Sequence, residues 1–176
     1  AQEVAKQAER TNQQTRQTAA SAARAAEAAI VRVVRRAFPG HAILGEESGS
    51  HAGEGESRWI VDPIDGTRGF TRGGSFWGPL VALEHRGEVV VGAMALPALG
   101  ETYWAARGRG AFLRRGRSRR VRLRVSRIAD WGEATLSLGE MRPLLAPERA
   151  AAVERLVASA ASARCYGDLA GCALVL

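Results

Sequence analysis

The stretch RWIVDPIDGTRGF, residues 58–70, joins an apolar run to a turn that carries two acids. The run Trp59–Val61 is typical of a short buried strand, and Pro63 stiffens the link between the two acids that follow the run. Asp62 and Asp65 stand three residues apart on either side of this proline. The stretch therefore predicts a strand that ends in an acidic turn, around which the fold is organised.

A second acidic segment, ILGEESG at residues 43–49, lies upstream and supplies Glu46. Carboxylates at the ends of two neighbouring strands can converge even when they are distant in sequence. Converging carboxylates repel one another, and a divalent cation such as Mg²⁺ relieves that repulsion through its preference for oxygen ligands. The alternative is that Asp62 and Asp65 are ordinary turn and cap residues.

The pair Gly66-Thr67 follows the second aspartate directly. If a helical turn begins here, its free backbone N–H groups form an anion site beside the acids. The Thr67 hydroxyl can bind phosphate or orient a water molecule. A metal next to an anion site indicates phosphoryl chemistry.

The rest of the chain predicts helices on either side of a strand-rich middle, hence an α/β (or α+β) fold. A helix is predicted over Ala22–Phe38, and residues 1–20 are expected to form a frayed helical end or to be disordered. A second helix is predicted over Pro147–Ala161. Strands are predicted at 58–61, 76–84, 88–96, 101–106 and 121–125, with a further apolar run at 41–44.

Length and hydropathy set the broad class of the protein. At 176 residues the chain is expected to form a single domain, 1–176. No apolar stretch reaches the roughly 20 residues of a membrane span, and no signal-peptide pattern opens the sequence, so a cytoplasmic location is expected.

The two acidic segments together resemble the inositol monophosphatase family of Mg²⁺-dependent, lithium-sensitive phosphatases. The resemblance rests on ILGEESG and WIVDPIDGT, continues through FWGPLVALEHRGEVVVGAMALPALGETYWAARGRGAF, and extends weakly to RCYGDLAGCALVL. It implies a layered α-β-α-β-α sandwich and a homodimer. It also implies a small phosphorylated substrate, two or three Mg²⁺ ions that Mn²⁺ can replace, and inhibition by Li⁺.

The same resemblance implies a role for each site residue. Glu46 would bind the first metal, Asp62 would bridge two metals, and Asp65 would bind the second. The remaining implied roles are the Ile64 backbone carbonyl as a ligand of the first metal, Gly66 and Thr67 as the phosphate site with Thr67 also positioning the attacking water, and Glu47 as a support of the catalytic site.

Two segments, GFTRGGSFWGPLVALE and YGDLAGCALVL, look more like the histidinol-phosphate phosphatase branch than the inositol branch. A carboxylate at Asp168 would pair with the ammonium group of histidinol, which inositol lacks. The alternative is that Asp168 caps the following helix. Hydrolysis of inositol-1-phosphate is the second function that the resemblance implies.

The chain departs from the family pattern at three places. Ala23 stands where the family has an aspartate that helps to deprotonate the attacking water, and the region around Asn12 lacks the family's lysine. The sequence also ends before the W-D-x-A motif, so the sandwich is expected to be incomplete at the C-terminal end. These departures predict weak turnover, and they leave open a catalytically impaired fragment or an arginine-rich binding module.

A dense basic stretch runs from Arg114 to Arg127. It is typical either of a surface that binds nucleic acid or an acidic partner, or of a solvated strand edge whose charges block aggregation. Because no aromatic residue lies between Arg114 and Asp130, no stacking platform accompanies the charge in the sequence. The sequence therefore favours the solvated edge, and nucleic acid is not an expected partner.

Overall fold

The structure is a computed structural model that describes residues 2–139 and 141–165. The chain divides into two compact units, Ala1–Arg122 and Leu123–Leu176, which are described separately below. The prediction of a single domain stays a prediction. No helix in the described ranges is long and apolar enough to cross a membrane, and the cytoplasmic location also stays a prediction.

The first unit opens with helix α1, Gln2–Ala37. Its sequence is rich in Ala, Gln, Glu and Arg, which have high helix propensity. The helix continues back through the segment expected to fray, and threonine hydroxyls there donate to backbone carbonyls four residues earlier. It ends before Pro39, where the N–H of Phe38 donates to the carbonyl of Val34 at 2.7 Å.

One face of α1 is buried, and the spacing of its residues explains why. Ala19, Ala23, Glu27 and Val34 recur at intervals of four or seven residues, which places them on one side of a helix. Val34 packs with Ile43 and Val61 of the sheet in the main apolar cluster of this unit. This face brings the only charged side chain that is buried in the described ranges, that of Glu27, to the sheet.

The sheet of the first unit has eight strands in the order β2-β1-β3-β4-β5-β6-β7-β8. Strands β1 and β3 run parallel, and the other registered neighbours are antiparallel. The elements are β1 (Ala42–Gly45), β2 (Gly49–His51), β3 (Ser57–Asp65), α2 (Thr67–Thr71), β4 (Gly78–His85), β5 (Glu88–Leu96), a 3-10 turn (Pro97–Leu99), β6 (Glu101–Ala106), β7 (Gly110–Arg115) and β8 (Val121–Leu123).

The second unit is built from short elements. Strands β9 and β10 pair in parallel. The elements are a 3-10 turn (Trp131–Glu133), β9 (Thr135–Ser137), α3 (Met141–Leu144), α4 (Pro147–Ser159) and β10 (Ser162–Arg164). The α/β class is therefore confirmed by helices that accompany a large mixed sheet, whereas the five-layer order stays a prediction.

Candidate metal and phosphate site

The parallel pairing of β1 with β3 sets the first two acids side by side. Gly45 lies opposite Val61 in the register, and the N–H of Glu46 donates to the carbonyl of Val61 at 3.0 Å. Glu46 and Asp62 follow these two residues, so they leave the same edge of the sheet. The two carboxylates lie close enough for Glu46 to raise the pKa of Asp62.

A bulge in β3 turns Asp65 to the side of Asp62. Asp62 lies opposite Leu80 and Asp65 lies opposite Gly78, so three steps on β3 match two steps on β4. In a regular strand, residues three apart point to opposite faces, whereas the additional residue restores a common face. Pro63 suits this position because it has no N–H to donate to the ladder.

Local hydrogen bonds hold the turn that follows the bulge. The N–H of Ile64 donates to the Asp62 carboxylate at 3.0 Å, and the Thr67 hydroxyl donates to the carbonyl of Ile64 at 3.0 Å. Gly66 lies between them with φ 78° and ψ 33°, a left-handed conformation that glycine adopts at little cost. The carbonyl proposed as a metal ligand thus keeps one lone pair for another partner.

The electrostatics of the three acids favour a cation at this edge. Burial raises the pKa of Asp62, and the hydrogen bond with Glu46 and the charges of Glu46 and Asp65 raise it further, to about 7. The N–H of Ile64 opposes the shift but does not cancel it. Carboxylates that raise one another's pKa concentrate negative charge at this point, and a divalent cation relieves that repulsion by offering positive charge to the same oxygens.

The donor set fits a hydrated magnesium ion. Within residues 2–139 and 141–165, no three His, Cys, Asp or Glu side chains are arranged around one point as a metal site. Mg²⁺ commonly uses one or two carboxylates, with water and substrate phosphate completing its octahedron. The pair Glu46 and Asp62 meets that requirement, and Asp65 adds charge beside it.

Glu27 is a site residue that the sequence analysis missed. Its carboxylate accepts hydrogen bonds from the N–H groups of Glu47, at 2.8 Å, and Ser48, at 2.9 Å, and its side chain is 2% exposed. It therefore fixes the loop that carries Glu46. The sequence signal was available, since an acid stands among alanines and Val34 on the buried helix face.

Three further positions that the sequence analysis singled out are Glu47, Ala23 and Asp168. The Glu47 side chain is exposed and lines a cavity of about 380 Å³ together with Arg24 and His51. Ala23 is 5% exposed on the buried face of α1, one turn before Glu27. Asp168 lies outside the described residues.

Comparison with known proteins gives a family and a set of relatives. The model of the inositol monophosphatase family matches residues 1–175. Histidinol-phosphatase from Mycobacterium tuberculosis is 40% identical over 137 residues, which is 78% of this chain and 53% of that protein. Inositol-1-monophosphatase from Mesorhizobium japonicum is 44% identical over 79 residues, 44% of this chain and 30% of that protein.

Comparison with a solved structure shows that the fold of this chain is similar to that of a related protein. The extragenic suppressor protein suhB from Bartonella henselae superposes with a TM-score of 0.70 at 32% identity, covering 82% of this chain and 54% of that one. The chain thus spans about half the length of the curated relatives it matches most extensively, 53% in the mycobacterial case. On the match across residues 1–175, this chain belongs to the inositol monophosphatase family.

Proposed function

We propose that this chain carries the metal and phosphate-binding part of a Mg²⁺-dependent phosphomonoesterase, and that its substrate is histidinol phosphate. The observation that carries the proposal is the parallel register of β1 and β3, which sets Glu46 beside Asp62. The substrate follows from the mycobacterial histidinol-phosphatase, which matches 78% of this chain at 40% identity.

Glu46, Asp62 and Asp65 hold the metal in this proposal. Bound Mg²⁺ supplies positive charge that offsets the charge of the phosphoryl oxygens and makes water a better nucleophile near neutral pH. The family resemblance extends the proposal to two or three Mg²⁺ ions, which Mn²⁺ can replace. It also extends the proposal to inhibition of hydrolysis by Li⁺ and to a homodimeric protein.

Thr67 positions the nucleophile and the phosphate. Its hydroxyl hydrogen is directed to the carbonyl of Ile64, so the lone pairs of Oγ1 remain to accept a hydrogen bond from water. Orientation of this kind lowers the entropy cost of attack. Gly66, without a side chain, lets the phosphate approach the backbone at the same turn.

Ala23 limits the rate in this proposal. A methyl group cannot accept a proton, so the position from which the family aspartate acts holds no base. Loss of a general base costs on the order of 10²–10⁴ in rate. Slow hydrolysis, with metal binding retained, is therefore the expected behaviour of this chain.

Inositol-1-phosphate is the second candidate substrate. The 44% identity to the Mesorhizobium inositol-1-monophosphatase favours it, although that match covers only 44% of the chain. Asp168 distinguishes the two substrates, because its carboxylate can pair with the ammonium group of histidinol phosphate alone. A preference for histidinol phosphate that Asp168→Asn abolishes would support the first candidate.

Titration calorimetry with Mg²⁺ and Mn²⁺ tests the metal site independently of turnover. The unchanged chain should bind, and Asp62→Asn should lose most of the heat of binding. Glu54→Gln is the control, because it replaces a carboxylate by an amide on an exposed loop, and it should bind as the parent does. Absence of binding by the parent, or equal binding by Asp62→Asn, would refute the proposal.

A further inference from the structure

The β6–β8 end of the sheet carries an unbalanced positive charge. Residues 102–122 include eight arginines and no acid. Two of the eight are paired, Arg107 with Glu88 and Arg115 with Glu101. The other six are exposed and form no ion pair with any residue in the described ranges. We call these six the basic edge: Arg109, Arg114, Arg117, Arg119, Arg120 and Arg122.

An aromatic pair lies beneath part of the basic edge. Trp104 of β6 is opposite Phe112 of β7, and their rings stack with centroids 5.7 Å apart at 24°. The guanidinium carbons of Arg120 and Arg122 lie 5.0 and 6.0 Å from the centroid of Phe112. The aromatic residues that the basic stretch lacks in sequence are thus supplied by neighbouring strands.

The backbone of β7 is shaped to admit one of these guanidinium groups. Gly110 has φ 87°, and a Cβ built there would lie 2.8 Å from Nη2 of Arg122. Glycine therefore lets the Arg122 side chain lie close across the strand. Arg114 adds a charge on the same face as Phe112, since alternate residues of a strand share a face.

Protection of the sheet edge explains only part of this arrangement. Charged side chains on a terminal strand do prevent edge-to-edge pairing. Such protection needs charge alone, whereas here the guanidinium groups of two exposed arginines lie over one aromatic ring. Stacked arginine and aromatic planes combined with cationic side chains are the features that bind unpaired bases and backbone phosphates.

We propose that the basic edge binds single-stranded nucleic acid. The arginines contact backbone phosphates, and the guanidinium planes over Phe112 offer a surface on which an unpaired base stacks. A duplex keeps its bases stacked on each other, so it gains only the phosphate contacts. Binding is expected to depend steeply on salt, with a slope of log K against log salt of about −4 if all six arginines engage phosphates.

Fluorescence anisotropy with labelled 20-nucleotide oligouridylate, oligothymidylate and a duplex of equal length tests the proposal on the full chain. The triple variant Arg119→Gln, Arg120→Gln, Arg122→Gln should weaken binding of the single strands about tenfold or more. A matched control, Arg10→Gln, Arg16→Gln, Arg35→Gln, removes the same charge from exposed positions of α1 and should change binding less than about twofold.

Phe112→Leu separates stacking from charge, because it keeps every arginine and removes the ring beneath two of them. It should reduce the preference for single strands over duplex, and melting curves confirm that the variants are folded. No binding at low salt, equal losses from the two triple variants, or a duplex bound as tightly as the single strands would each overturn the proposal. None of these outcomes depends on phosphatase activity.

Discussion

The carboxylate of Glu27 accepts a hydrogen bond of 2.8 Å from the backbone N–H of Glu47, twenty residues further along the chain. A second bond, of 2.9 Å, comes from the N–H of Ser48. One side chain of α1 therefore fixes two successive peptide groups of the loop after β1. Since Glu46 directly precedes this pair, the position of the first proposed metal ligand depends on the helix.

Glu27→Gln is predicted to destabilise the fold by about 1–3 kcal/mol. The amide keeps one acceptor oxygen, but its NH₂ group faces one of the two backbone donors, which is left without a partner. Urea unfolding measures the loss. Glu9→Gln, on an exposed face of the same helix, is the control and should leave the unfolding midpoint unchanged. Equal midpoints for both variants would contradict the prediction.

The same substitution is predicted to weaken Mg²⁺ binding, because the loop that carries Glu46 loses an anchor. Calorimetry on Glu27→Gln at a temperature where the variant is fully folded measures the change. Glu9→Gln again provides the comparison. Unchanged affinity in Glu27→Gln would show that the loop holds Glu46 in place without the helix.

The contribution of Glu27 to stability is predicted to decrease in acid. Burial opposes ionisation of Glu27, but hydrogen bonds from the Ser48 side chain and from the N–H groups of Glu47 and Ser48 outweigh it, so the pKa falls below its ordinary value of 4.5. The unfolded chain then takes up the proton at higher pH than the folded chain. The stabilisation is complete above pH 4.5 and is lost as the pH falls through the lowered pKa.

Unfolding of the parent and of Glu27→Gln across a pH series measures this linkage. The difference in unfolding free energy between them should be largest near neutral pH and should shrink as the solution becomes acidic. A difference that grows on acidification would reverse the sign of the argument.

Gly45→Ala is predicted to disturb the same contact from the other side. A Cβ at this position would lie 2.5 Å from the carboxyl carbon of Glu27. The carboxylate cannot move away without losing its backbone donors, so the substitution should cost much less in a Glu27→Ala background. A coupling of about 0.5–3 kcal/mol is expected in this cycle. Gly92→Ala is the control, because a Cβ at this position meets nothing within 4 Å. Additive effects of Gly45→Ala and Glu27→Ala on the unfolding free energy would contradict the prediction.

Ala23→Asp is predicted to raise phosphate release on the order of 10²-fold or more by restoring a proton acceptor. The parent chain should turn over slowly, well below the usual kcat of about 1–10³ s⁻¹. Ala23→Asn has nearly the same shape without basicity and separates chemistry from packing. Equal rates for the two variants, or ordinary turnover by the parent, would count against the role assigned to this position.

Local sequence signals predicted the hairpin formed by β4 and β5. Arg86-Gly87 was expected between two strands, and both residues have positive φ, 54° and 78°, in the turn from β4 to β5. The strand 101–106 was predicted with its observed bounds. The structure also brings Glu46 and Asp62 together, although their roles as metal ligands stay predictions.

Features that depend on partners distant in sequence were not predicted. Glu27 acts through backbone groups twenty residues away, and nothing in the composition of α1 indicates them. Strand β7 was missed because Gly110 and Ala111 at its start have low strand propensity, and pairing with β6 overrides that propensity. The stacking of Trp104 on Phe112 follows from that same pairing.

The bulge at Pro63 and Ile64 depends on the number of residues between the two aspartates. Removing one residue between them would abolish the bulge and leave the acids two regular steps apart on one face, without the additional peptide group that now lies between them. Exchanging the side chains of the two intervening residues changes packing by degrees, whereas removing one of these residues abolishes the bulge at once. At this edge of the sheet, the count of residues constrains the site more strictly than their identity does.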